Sequence, residues 1–164
     1  MRIYKSLIAL FLLGFISQAF GGKLTIGARA SIYDPPGAPG PTPMVGGYIG
    51  YSISEYLSAE GAVEWTNYDN TTLIPITVNM IYYPLGERGF NPYLGGGSGY
   101  YYKKVNEDIK STVGYQLLAG ISWKSTQDFG LSFEVKYIVP DIKNASERGF
   151  SYGGGITGSM TMEL

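Results

Sequence analysis

The chain has 164 residues with 24 Gly, 15 Tyr, no Cys and no His, and only 15% of it is charged, low against the roughly 25% of an ordinary soluble domain. The length suits one domain. Missing Cys excludes disulfide scaffolds, thiol catalysis and Cys-based zinc sites, and missing His removes the commonest general base and metal ligand.

At the N-terminus, Arg2 and Lys5 precede the apolar run Leu7 to Ile16, followed by Ser17, Gln18 and Ala19. A positive start, a short apolar stretch and a small-x-small site describe a cleavable secretory signal, cut after Ala19. A retained membrane anchor is the alternative reading, but the uncharged run is at the bottom of the spanning range. Residues 20–164 then form one domain. Cleavage removes two basic side chains and leaves a mildly acidic chain with no basic patch, which argues against nucleic acid as a partner.

The rest of the chain alternates with period 2 and carries no helical stripe. The segment 23–33 sets Leu24, Ile26, Ala28, Ala30 and Ile32 against Thr25, Gly27, Arg29, Ser31 and Tyr33. Residues 45–54 oppose Val45, Gly47, Ile49, Tyr51 and Ile53 to Gly46, Tyr48, Gly50 and Ser52. In 57–66, Leu57, Ala59, Gly61, Val63 and Trp65 face away from Ser58, Glu60, Ala62, Glu64 and Thr66. In 73–83, Ile74, Ile76, Val78, Met80 and Tyr82 oppose Pro75, Thr77, Asn79, Ile81 and Tyr83. Pro75 has no N–H to donate, so the regular part is expected to start just after it.

Glycines of both parities blur the phase of 92–102, where Leu94, Gly96, Ser98, Tyr100 and Tyr102 are assigned to the apolar face. Segment 112–123 places Val113, Tyr115, Leu117, Ala119, Ile121 and Trp123 on that face. Leu131, Phe133, Val135 and Tyr137 do the same in 130–138, as do Tyr152, Gly154, Ile156, Gly158, Met160, Met162 and Leu164 in 152–164. Eight such segments, each with one apolar face, are the signature of an all-β, eight-stranded antiparallel up-and-down transmembrane β-barrel.

A secreted lipocalin-like carrier has the same period with its apolar face inside. The polar face separates the two. A water-facing exterior is rich in Lys and Glu, whereas this face is mostly Gly, Ser, Thr and Tyr, which suits the crowded inside of a narrow barrel. With the chain entering its first strand from the periplasm, Trp65, Tyr100, Tyr102, Tyr137 and Tyr152 fall near the outer ends of their strands, and Tyr51, Tyr82 and Trp123 near the periplasmic ends. Aromatic rings prefer the headgroup level, so these eight are candidates for two girdles. High β-propensity of Tyr and Trp is the plainer explanation, and their bias to strand ends favours the girdles. Outer loops are expected at 34–44, 67–72, 103–111 and 139–151.

The stretch NPYLGGGSGYYYKK (91–104) and the final Gly-rich strand resemble the small eight-stranded outer-membrane barrels of Gram-negative bacteria, the OmpA/OmpX-like group. The resemblance extends over the chain after the signal. It implies a monomer in the bacterial outer membrane, in contact with its lipid and inserted by the assembly machinery. Members usually end in an aromatic residue, where this chain has Leu164.

Arg29, Glu60, Glu64, Glu134 and Lys136 are expected to point into the interior. An isolated buried charge is costly, so a salt-bridged plug completed by Tyr48, Tyr93 and Gln116 outweighs a catalytic pair of Glu60 with Glu64 or Glu134. Lipid-remodelling barrels of similar size rely on His, by the same resemblance, and this chain has none. Asp69, Asp108 and Asp141 form no spaced calcium motif, and no helix follows GGGSG to make a phosphate cradle. No enzyme activity, metal or cofactor is implied. The expectation is an envelope or surface-contact protein; a loop-mediated adhesin, using DPPGAPGPTPM and KKVNEDIKS, and a soluble carrier are the alternatives.

Overall fold

Alternating polarity over short segments resolves into eight strands: β1 (Lys23–Asp34), β2 (Thr42–Ser52), β3 (Leu57–Tyr68), β4 (Thr71–Tyr82), β5 (Phe90–Val105), β6 (Asp108–Lys124), β7 (Phe129–Val139) and β8 (Gly149–Thr161). The computed structural model describes residues 23–35, 40–86, 89–106, 108–126, 129–144 and 146–161. The expected signal segment with its cut after Ala19, and Met162 and Leu164, lie outside these residues. Each strand pairs antiparallel with its sequence neighbour and β8 pairs with β1, so the sheet is a closed barrel without a free edge strand.

Register sets the shape. Following pairs from Leu24 through Tyr51, Ala59, Met80, Gly96, Leu117, Tyr137 and Phe150 returns to β1 at Asp34, ten residues further along. At roughly 3.3 Å per residue and 4.8 Å between strands, that stagger tilts the strands about 40° from the axis, so each residue climbs roughly 2.5 Å. The rim where β1 begins and β8 finishes is called here the near rim, and the opposite one the far rim.

The two faces of the wall are inverted relative to a water-soluble protein. Ile26, Ile49, Val78, Leu117, Phe133 and Ile156 are each more than half exposed on the outside, whereas Glu60, Glu64, Asn79, Gln116 and Lys136 are buried within. A water-borne carrier needs the opposite sidedness. The phase of 92–102 is settled by the same contrast, with Leu94, Ser98, Tyr100 and Tyr102 outward and Tyr93 and Tyr101 buried.

Two expectations are corrected. β4 does not start after Pro75 but runs through it from Thr71; the missing N–H instead interrupts pairing with β3, where Glu64 and Trp65 stand unpaired opposite Ile74 and Pro75. Pairing with β5 is continuous, Pro75 facing Tyr101. The outer loops are also shorter than 34–44, 67–72, 103–111 and 139–151. Residues 103–105 and 108–111 extend the β5–β6 hairpin, and Asp69–Asn70 alone joins β3 to β4. Asp69 and Asn106 sit at φ 50° and 55°, a left-handed conformation that short Asx side chains tolerate and that two-residue hairpin turns require.

The loop between β7 and β8, 140–148, folds back on this hairpin. Ile142 N–H donates to Val113 O at 2.9 Å, Thr112 Oγ1 to Pro140 O at 2.7 Å, and Lys103 Nζ pairs with Glu147 Oε2 at 3.0 Å.

Candidate functional site

Narrow barrels fill their interior with side chains, and here the filling is layered. At the far rim Tyr33, Met44, Leu73, Tyr101 and Ile138 form an apolar plug, each at most 1% exposed, with Tyr68 packed against it. Toward the near rim a second cluster joins Ile81, Tyr93 and Leu118, with the Tyr83 ring packed at a tilt against Tyr93, 5.6 Å between ring centroids. Glycines make room for the inward rings: Tyr48 pairs with Gly27 and Tyr93 with Gly120, and a Cβ on either glycine would lie about 2.2–2.4 Å from the tyrosine Cζ.

Between the two clusters lies a chain of charges. Arg29 (β1) contacts Glu60 (β3) through Nη2 at 2.6 Å and Glu134 (β7) through Nη1 at 3.3 Å. Lys136 (β7) contacts the same Glu134 at 3.4 Å and Glu64 (β3) at 2.5 Å. The order Glu60, Arg29, Glu134, Lys136, Glu64 therefore alternates in sign, three carboxylates against two cations. Each carboxylate has a cation within reach, so none stands as a free base, and the pairing of Glu60 with Glu64 or Glu134 as a catalytic dyad has no geometric support.

Hydrogen bonds extend the chain. Tyr93 Oη donates to Glu134 Oε2 at 3.0 Å, and the Arg29 guanidinium lies 4.2 Å over the Tyr48 ring, whose hydroxyl bonds to Thr157. Gln116 sits one layer away from the ions. Its Nε2 donates to Asn79 Oδ1 at 2.8 Å and to Thr77 Oγ1 at 3.3 Å, while Asn79 Nδ2 donates to Glu60 Oε1 at 3.1 Å. Asn79 and Thr77 were not singled out from the sequence; their signal was a polar residue of inward parity on an otherwise apolar strand. Tyr93, Glu60 and Glu134 also border a cavity of about 60 Å³ toward the near rim, room for a few waters.

On the outside, Tyr51, Tyr82 and Trp123 fall at nearly one height close to the near rim. Trp65, Tyr100, Tyr102, Tyr137 and Tyr152 form a broader band roughly 20 Å higher by the rise and tilt given above. Most of these rings are exposed; Tyr51 is half-buried, and so is Tyr137, which packs on Phe150 at 5.2 Å. An apolar belt of about that height between aromatic bands matches the hydrocarbon thickness that membrane barrels present.

Solved structures share this architecture. The N-terminal β-barrel domain of Pseudomonas aeruginosa OprF is 16% identical, with a TM-score of 0.65, over 83% of this chain and 97% of that one. Neisserial surface protein A is 18% identical with a TM-score of 0.63, over 84% and 96% of the two chains. Ail, the attachment invasion locus protein of Yersinia pestis, solved in complex with the heparin analogue sucrose octasulfate, is 12% identical with a TM-score of 0.53, over 85% and 97%. No curated protein sequence matches the chain. The model of the outer membrane protein beta-barrel domain matches residues 7–155, and with the closed eight-stranded wall this places the chain in that family of bacterial outer-membrane barrels.

Proposed function

We propose that the protein is a non-enzymatic, monomeric barrel that contributes to envelope structure or surface contact, with its far rim outside the cell. The observation that carries this reading is the filled interior: among the described residues, an apolar plug at one rim stands above a chain of five paired charges. A signal peptide cut after Ala19 would deliver the chain, and the outer-membrane assembly machinery would insert it. Reconstituted in a planar bilayer, the protein gives no steady single-channel conductance; a stable open level contradicts the plugged interior.

The two tryptophans test the placement in lipid. Trp65 and Trp123 lie in opposite aromatic bands, so lipids brominated near the headgroup quench their fluorescence more than lipids brominated at the chain ends. Stronger quenching from the bilayer centre contradicts the girdles.

A second reading, a surface adhesin or ligand-binding protein, is favoured by the β5–β6 hairpin, whose exposed Lys104, Ile109 and Lys110 project past the upper aromatic band. The bound heparin analogue on the structurally similar Ail supports it in kind. Exchanging residues 103–111 for a neutral turn abolishes binding to host or matrix polysaccharide if this reading holds, and leaves it unchanged if it does not.

A further inference from the structure

The chain of interior charges does not balance. Lys136 lies 2.5 Å from Glu64, and these two make a neutral pair. That leaves Arg29 with both Glu60, at 2.6 Å, and Glu134, at 3.3 Å, one cation against two carboxylates. Lys136 also reaches Glu134 at 3.4 Å, but sharing it between two carboxylates moves the excess along the chain without removing it. A net negative charge in a desolvated interior is costly unless a cation meets it.

The excess sits beside space. The cavity of about 60 Å³ toward the near rim is bordered by Arg29, Glu60 and Glu134, whereas Glu64 and Lys136 do not border it. Its walls also carry neutral oxygens, among them those of Ser58, Tyr48, Tyr93 and Thr157. Two polar atoms of residues on these walls are buried without a hydrogen-bond partner, Ser58 Oγ and Arg29 Nη1. Ser58 is 7% exposed and shares the inward parity of Glu60, two residues further along β3. Its oxygen has lone pairs to offer and no donor in the protein to receive them, while Nη1 calls for an acceptor such as water.

We propose that this cavity holds one alkali cation, sodium or potassium, with part of its water shell, between Ser58, Glu60 and Glu134. The sign follows from the carboxylates, since an anion would face both of them beside a single guanidinium. The valence follows from the balance, which lacks one positive charge. Calcium takes roughly six to eight oxygens, several of them from carboxylates. Here those are partly occupied: Glu60 Oε1 accepts from Asn79 and Oε2 from Arg29, and Glu134 Oε2 accepts from Tyr93. Room for a few waters admits an alkali ion and excludes an organic cation. Lys124, Thr126 and Phe129 of the near rim line the mouth, which gives an ion from solution its way in. The backbone of Lys124 stands about 11 Å below that of Glu60 along the axis, by the rise and tilt given above.

The test has two arms on the barrel refolded in detergent. In the first, crystals are soaked in rubidium chloride and anomalous scattering is recorded. A peak inside the wall at coordination distance from Glu60, Glu134 or Ser58 is expected; peaks on the outer surface alone, or none, overturn the proposal. In the second, urea unfolding is followed in sodium chloride and in N-methylglucamine chloride at equal ionic strength, the organic cation being too large for the cavity. Sodium favours the folded state on the order of ten-fold, the factor 1 + [L]/Kd for a site filled roughly nine parts in ten. E60Q and E134Q, which keep the side-chain volume and remove the excess charge, lose that preference, and S58A weakens it. E64L/K136M, which removes the neutral pair alone, keeps it. Equal stability of the wild type in both salts, or a preference that survives in E60Q and E134Q, overturns the proposal. So does a preference lost in E64L/K136M and kept in E60Q, which puts the excess charge at Glu64. Heat-modifiable gel migration is read on each variant, and where a glutamine variant does not fold the rubidium peak of the wild type decides.

Discussion

Replacing Lys136 by methionine lowers the unfolding free energy of the barrel by about 3–5 kcal/mol, because it strands Glu64 as a buried carboxylate without a cation and leaves Glu134 with Arg29 alone. Lys136 is 2% exposed and Glu64 1%, and one oxygen of Glu64 has no hydrogen-bond partner even with the lysine present, so solvent offers no substitute. The measurement is urea unfolding in detergent micelles or thin bilayers, followed by tryptophan fluorescence. The comparison that isolates the pair is E64L/K136M, which exchanges both charges for apolar groups of similar volume and recovers most of the loss. Glu134 stays paired with Arg29 in that variant. A single variant as stable as wild type would show that the Lys136–Glu64 contact contributes nothing, and the alternating charge chain would lose its structural role.

G99V leaves the barrel unfolded in conditions where the wild type folds, seen as loss of the heat-modifiable band. A Cβ at Gly99 would lie 2.1 Å from Ile76 O and 2.7 Å from Thr77 Cα, both backbone atoms of the adjacent strand, so relief requires the wall itself to move. Overpacking of a close-packed interior typically costs 1–3 kcal/mol, and contact with backbone rather than a flexible side chain sets about 3 kcal/mol as the lower expectation here. G61A is the control. Gly61 faces outward with nothing within 4 Å of an added Cβ, and the change shifts stability by less than about 0.5 kcal/mol. Folding of G99V at wild-type yield would mean that the interior has slack the packed layers do not suggest.

The contrast between Gly99 and Gly61 also marks what was readable beforehand. Both are glycines in alternating strands, and parity alone sends one inward and the other outward. Which neighbour each approaches depends on register with the next strand, as with Gly27 beneath Tyr48. Pro75 shows the opposite limit. Its missing donor predicts a break in the ladder, and a break occurs, but only on the β3 side, since β5 pairs past it without interruption. In the same way residues 103–111, polar and mixed in charge, carry no alternation strong enough to be read as strand. Residues 103–105 and 108–111 are held as strand because the turn at Asn106 pairs them with each other.

The charged residues divide similarly. Arg29, Glu60, Glu64, Glu134 and Lys136 are placed inside by period 2 alone, and Asn79 and Thr77 share that parity without drawing attention. Their partners are another matter, for Lys136 reaches Glu64 across 72 positions of sequence and from β7 to β3. The sequence by itself determined the number of strands, the face that residues outside 92–102 present and the strand-end positions of the aromatic residues, because side-chain direction in a strand is a local property with a strict period. Only the tertiary structure decided which charges meet, where the interior is plugged and that Ser58, Glu60 and Glu134 share a cavity. Those contacts follow from closing eight strands with a ten-residue stagger, and that stagger belongs to the whole ring and to no single segment of it.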